Sequence, residues 1–205
     1  MPGQRSLCWR LNWYRQSELE GALLLGRMVR RVSDPYLVHQ LTKHCADEAR
    51  HAWLWQRTLA TLSLPSVRIH RSYQSFYLDE TAAPRRLADV LALTHIFEHR
   101  VHRHFGEELR RPGLPDPVRR TLNVLLRDEA DHLDWIARWL TTQPGVEDTL
   151  GRYRLADARV VRRLEPYGER LWDIDGLGEE LTEANDDEHR NAAEECHQTE
   201  SQHSA

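Results

Sequence analysis

The sequence predicts an all-α fold: a four-helix bundle of two antiparallel helical hairpins joined by a long crossover, followed by a fifth helix. Three observations carry that prediction. Apolar residues recur at helical spacing along most of the chain, and strand-like alternation is almost absent. Breaks rich in proline and glycine cut the pattern into hairpin-length segments. Two Glu-x-x-His motifs, Glu48 to His51 and Glu129 to His132, fall at matching places in the two hairpins.

The first helix is predicted from Trp13 to Val32. Ser33-Asp34-Pro35 ends it and starts the next, with Asp34 as the N-cap and Pro35 at the first helical position. The second helix runs from Pro35 to Leu62 and is closed by Leu64-Pro65. Residues 63–84 are too many for a tight helix–helix turn and read as a crossover, with Tyr73, Phe76 and Tyr77 as material for a lid. The third helix runs from Pro84 to Arg111, where Pro112-Gly113-Leu114-Pro115-Asp116-Pro117 breaks it. The fourth covers Pro117 to Leu140, closed by Gln143-Pro144-Gly145, and the fifth covers Glu147 to Trp172. These helices make one domain, residues 1–176; the acidic stretch 177–205 is poor in large apolar residues and reads as a disordered tail.

Composition bounds the function classes. A chain of 205 residues, 40% hydrophobic and 29% charged, is long enough for one domain with a substantial core. No apolar run approaches the roughly 20 residues of a membrane span, and the first residues lack the apolar block of a signal peptide, so a cytoplasmic location is expected. Cys8, Cys45 and Cys196 form no CxxC pair, which leaves no rubredoxin-type iron site in this chain. Residues 177–205 carry nine acids against Arg190; with a net charge of −4 overall, residues 1–176 stand near +4. All basic residues but Lys43 are arginine. That richness suits either an anionic partner or a codon bias, and +4 is small beside nucleic-acid binders.

The chemistry lies in the doubled motif. Residues three apart on a helix face the same side, so Glu48 with His51, and Glu129 with His132, can each present a carboxylate and an imidazole to one cation. A two-metal site in a bundle needs one further carboxylate from each partner helix. The third helix offers Glu98 and the first offers Glu18 or Glu20. Symmetry about the turns favours Glu18: Glu98 and Glu129 lie 16 residues before and 14 after the second turn, as Glu18 and Glu48 do about the first. Glu18 also follows the apolar stripe of Leu11, Tyr14, Ala22, Leu25, Val29 and Val32, whereas Glu20 follows Gln16, Arg27 and Arg31. A carboxylate on an apolar stripe is costly unless paired or metal-bound. Six metal ligands are therefore expected: Glu18, Glu48, His51, Glu98, Glu129 and His132. Their four carboxylates would neutralise two divalent cations, and oxygen mixed with imidazole suits iron or manganese. The bland alternative is an ordinary bundle with solvated Glu and His.

In this ligand pattern and helix layout, residues 13–141 resemble the ferritin-like di-iron carboxylate proteins, a superfamily that includes ferritins, rubrerythrins, multicomponent monooxygenases, ribonucleotide reductase small subunits and a tRNA hydroxylase. Asp47-Glu48-Ala49-Arg50-His51 is similar to the form found in its oxygenase branch. The resemblance implies that Asp47 and Asp128 accept hydrogen bonds from ligand histidines and that Arg50 steadies such an Asp. The second motif departs from the pattern, with Asp131 where an Arg would stand.

Tyr14 and His102 are the remaining candidates for a catalytic role. Tyr14 lies one turn before Glu18, placed to bond a ligand or relay an electron, or simply to pack. His95 and His102, at i−3 and i+4 from Glu98, are read as an extra ligand, a proton relay or ordinary core histidines. The function expected is a non-haem oxidoreductase that uses two iron ions (Fe–Fe, or Mn–Fe on the same ligands) to activate O2 and oxidise a small organic or nucleoside-type substrate. Its electrons would come from an external reductase or ferredoxin, since the chain shows no flavin, Fe–S or rubredoxin motif. Nucleic acid is not an expected partner beyond a tRNA substrate, no membrane is involved, and a homodimer is compatible. The alternatives are a rubrerythrin-like peroxidase, a ferroxidase or iron-handling protein, and a metal-free helical binding module.

Overall fold

The computed structural model describes residues 2–168, with side chains from residue 4 onward. Among them are six helices and no strand: α1 (Pro2–Val29), α2 (Pro35–Thr61), α3 (Tyr73–Glu80), α4 (Leu87–Leu109), α5 (Asp116–Leu140) and α6 (Val146–Leu164). The acidic segment 177–205 and the far end of the predicted fifth helix, to Trp172, lie outside the described residues. No described helix is long and apolar enough to cross a membrane.

The breaks act as their residue types dictate. Asp34 caps α2, its Oδ1 accepting from the Leu37 amide at 2.9 Å, and Pro35 needs no partner at the first helical position. Gly113, in the turn between α4 and α5, and Gly145, just before α6, take φ values of 74° and 67°, which a Cβ would strain. Two differences from expectation have physical causes. α1 begins 11 residues earlier than the stripe suggested and ends at Val29. Its early residues are held by packing: Cys8 and Leu11 join Trp55, Leu59 and Phe105 in one cluster. The Asn12 amide donates to the carbonyls of Cys8 and Pro65, and its oxygen accepts from the Val67 amide, stitching α1 to the crossover. The crossover contains α3, whose local sequence has little helical period; Phe76 and Tyr77, buried against Ala156, Val160 and Leu164, supply its stability.

α1 packs on α2, α4 on α5, and α2 on α5; α6 lies on α4 and α3. Besides the cluster under α3 and α6, two apolar clusters fill the interior between α1, α2, α4 and α5. One holds Leu25, Met28, Leu41, Leu91, Ile136 and Leu140, and the other Leu11, Trp55, Leu59, Phe105, Leu122 and Leu125. Each fully buried Leu or Phe contributes on the order of 1.5–3 kcal/mol. On α1, α2, α4 and α5 alike, the predicted ligands fall between the two clusters, so the fold carries one polar layer between two apolar ones.

Candidate metal centre

Glu18, Glu48, His51, Glu98, Glu129 and His132 are all buried, none more than 7% exposed. They meet in the polar layer, and the structure adds a seventh residue, His44. Two overlapping groups could each hold a metal ion: Glu18, Glu48, His51 and Glu129 in one, and His44, Glu48, Glu98 and His132 in the other. Glu48 belongs to both, and in each group the donor atoms lie within 4.8 Å of one another. His44 is 1% exposed; its Nε2 lies 2.9 Å from Glu98 Oε1 and 3.4 Å from Glu48 Oε1, and its ring stacks on His132 at 3.6 Å between centroids.

The imidazoles are aimed by carboxylates of the opposite motif. His51 Nε2 lies 3.1 Å from Asp128 Oδ2, and His132 Nε2 lies 3.3 Å from Asp47 Oδ2. Both rings thus turn Nδ1 inward, 3.5–3.8 Å from the oxygens of Glu18, Glu48 and Glu129. One guanidinium serves both outer carboxylates, since Arg50 Nη2 donates to Asp47 and Asp128 at 2.9 Å each. Asp131, where a second Arg was expected, faces Lys43 Nζ at 3.7 Å, and the same Nζ lies 3.3 Å from Asp47.

The charges are strained in a way a cation relieves. Burial, reinforced by Glu18, Glu129 and Glu98, pushes Glu48 well above the usual carboxylate range. Burial opposes a charged His51, but Glu18, Glu129 and Glu48 outweigh it and push the imidazole up to about 10. Burial would raise Asp47, yet hydrogen bonds from Arg50 and His132 hold it near 2. Glu48 Oε1, Glu98 Oε2, Glu129 Oε2, the Nδ1 atoms of His51 and His132 and both nitrogens of His44 are buried without a hydrogen-bond partner. Buried polar atoms nearly always have one. Seven such atoms converging at one place, all carboxylate oxygen or imidazole nitrogen, fit a divalent cation.

A cavity of about 890 Å³ reaches this layer between α1 and α4, which do not pack closely on each other. Glu18, Glu48, Glu98 and Glu129 are among its lining residues; His44, His51 and His132 are not, so the layer presents its carboxylates to the cavity. Gly21 makes room there, because a Cβ at that position would stand 2.6 Å from Glu48 Oε2.

The other candidates fall elsewhere. Tyr14 lines the cavity, but its hydroxyl meets His104 Nε2 at 2.5 Å, and burial pushes its phenol far up. Its link to a ligand is indirect: its ring lies 5.2 Å from that of Trp55, whose Nε1 donates to Glu18 Oε1 at 3.4 Å. His102 is half-buried on α4 and belongs to neither ligand group nor the cavity wall. His95 pairs with His99, ring to ring at 4.5 Å. Glu20 accepts from Gln16 and Ser72 and lines the cavity outside the ligand groups. His44 had a visible signal, a place four residues before Glu48 on the same helical face. It has no counterpart in the second motif, where Leu125 stands at the matching position.

No protein-family model, curated protein or solved structure matches this chain.

Proposed function

We propose that this chain is a non-haem di-iron oxidoreductase of ferritin-like build, which activates O2 to hydroxylate or oxidise a small organic or nucleoside-type substrate. The observation that carries the reading is the cavity's lining: it includes the four carboxylates of the polar layer, so a substrate and the metals would share one space. Glu18, Glu48, His51 and Glu129 would hold one ion; His44, Glu48, Glu98 and His132 would hold the other. Iron, when bound, supplies the electrons and the open coordination positions that O2 chemistry requires.

The chain's own residues do the rest. Asp128 and Asp47 fix His51 and His132 in the tautomer with Nδ1 free, and Arg50 holds both aspartates. Glu48 sits where it can serve both ions. Tyr14, Phe97 and Phe105 line the cavity together with the carboxylates, and water expelled from it by a bound substrate would strengthen the electrostatic contacts there. Electrons for repeated turnover come from a separate donor protein. Iron storage or peroxide reduction would leave an aromatic-walled cavity of this size without a role. The test is to load the protein anaerobically with Fe(II), admit O2 and follow the optical spectrum. Rapid oxidation of two irons per chain, slowed in Glu48→Ala, supports the reading; a protein that binds iron and leaves it unoxidised by O2 refutes it.

A further inference from the structure

The cavity follows two helices along their length. Its lining residues run from Trp13 to Arg27 on α1 and from Leu93 to Glu107 on α4. Each stretch is about 21 Å long at 1.5 Å per residue. The two helices point in opposite directions: the rings of Tyr14 and Phe105 lie 5.2 Å apart, while Leu25 belongs to the cluster that holds Leu91. Glu18 and Glu98 therefore fall within the two stretches and not at an end of either.

The surface along this course is chiefly hydrocarbon. Leu23, Leu24, Leu93, Phe97 and Val101 are lining residues that are exposed or half-buried. The four carboxylates lie in the lining but are sheltered, at 7% exposure for Glu18 and Glu48, 4% for Glu98 and 2% for Glu129. An apolar occupant can pass them while covering little charged surface. Polar groups of the lining are engaged with protein partners: the Tyr14 hydroxyl on His104, Arg100 on Asp157, and Glu20 on Gln16 and Ser72. Exposed charges stand at opposite ends, Arg27 on α1 and Arg103 with Glu107 on α4. The wall thus selects by length and apolar contact.

We infer that the cavity binds a long, unbranched hydrocarbon chain, a fatty acyl or alkyl group, extended along α1 and α4 and passing the four carboxylates. This rests on the proposed function for the chain's role as substrate, which it narrows, but it is tested without metal. An extended chain advances about 1.3 Å per carbon, as its C–C bond length dictates, so about 16 carbons match the lined stretch. An interior methylene, not the chain's end, then lies beside the polar layer.

The experiment titrates the full chain, stripped of metal, with saturated fatty acids of about 8 to 18 carbons, a range set to bracket that length, by calorimetry and tryptophan fluorescence. In wild type one molecule binds per chain, and affinity rises up to about fourfold with each added methylene, the factor that burial of one CH2 commands. The rise levels off near about 16 carbons, where the lined stretch is filled. Two variants block the course on either side of the carboxylates: Val101→Trp, one turn from Glu98 towards Tyr14, and Thr94→Trp, one turn the other way. Each, checked for an unchanged thermal midpoint, levels off at shorter chains. Absence of binding overturns the inference, as does an affinity that ignores chain length or climbs without levelling. So does a wild-type series in either folded variant, because the chain then does not pass the carboxylates. Metal content measured on the same preparation separates the two claims. Fatty-acid binding without metal binding sinks the di-iron reading alone, and metal binding without fatty-acid binding sinks the hydrocarbon-chain inference alone.

Discussion

Gly21 offers a sharp perturbation, because one added methyl group should move stability and metal affinity in opposite directions. In Gly21→Ala the new Cβ would lie 2.6 Å from Glu48 Oε2 and 3.5 Å from its Cδ. The first separation is too short to persist, so something shifts. The obstacle is the end of a flexible side chain, so Glu48 swings away and the backbone stays. For the fold alone, a mid-helix Gly→Ala gains about 0.5–1 kcal/mol. For a domain of this size that raises the melting midpoint by roughly 1–4 °C. For metal, the displaced carboxylate belongs to both ligand groups. Loss of an outer hydrogen-bond partner alone typically costs about 10–100-fold in affinity. Displacing Glu48 should cost at least that, or about 1.4–2.7 kcal/mol. The assay is calorimetric titration of the stripped protein with Fe(II) under anaerobic conditions, beside its thermal melt. Unchanged metal affinity in a protein that melts normally would refute the claim that Glu48 approaches α1 as a ligand. A collapse in stability would refute the claim that only the side chain yields.

Further perturbations probe other parts of the account. His44→Leu, which copies Leu125 of the second motif, should weaken one metal position at least about tenfold and spare the other; equal retention of both ions in calorimetry would remove His44 from the ligand set. Asp128→Asn takes the carboxylate from His51 Nε2 and from Arg50, so metal affinity should fall about 10–100-fold while the melting midpoint of the stripped protein changes little. Asp89 is held below the usual carboxylate range by the hydrogen bond from Arg86, with Arg152 adding to it. A depressed folded pKa stabilises above the unfolded value, near 4, and is lost as pH falls through the folded one. Asp89→Asn should therefore lower stability by about 0.5–1 kcal/mol at pH 7, discounted because both arginines are largely exposed, and by progressively less below about pH 4. Denaturant melts across that window would show a constant difference if the ion pair contributes nothing.

The legible part of this structure came from periodicity and spacing. Pro35, Pro117 and Gly145 mark helix ends by backbone chemistry that needs no tertiary context. The meeting of Glu18, Glu48, His51, Glu98, Glu129 and His132 in one buried layer was legible because i, i+3 pairs share a face and because Glu18 lies on a stripe that must be buried. Three things were hidden, each for a physical reason. α3 exists because Phe76 and Tyr77 find α6, a partner 80 residues on from Tyr77 at Asp157; its own residues carry no helical period. His44 has no counterpart in the second motif, so the twofold pattern that marks the other residues of the polar layer passes over it. The crossing of Asp47 to His132 and Asp128 to His51 depends on how α2 meets α5, which no single helix encodes. Tyr14 lies near Glu18 by spacing, but its hydroxyl turns to His104, two residues beyond the His102 that spacing singles out.

The central claim is that the polar layer holds two metal ions per chain. Elemental mass spectrometry of the protein purified from cells grown with iron tests it most directly, with the Glu48→Ala/Glu129→Ala variant as its control. The account predicts about two ions per wild-type chain and almost none in the variant. Wild type as free of metal as the variant, even after anaerobic loading with Fe(II), would contradict it and leave a helical protein whose buried carboxylates and imidazoles serve another purpose.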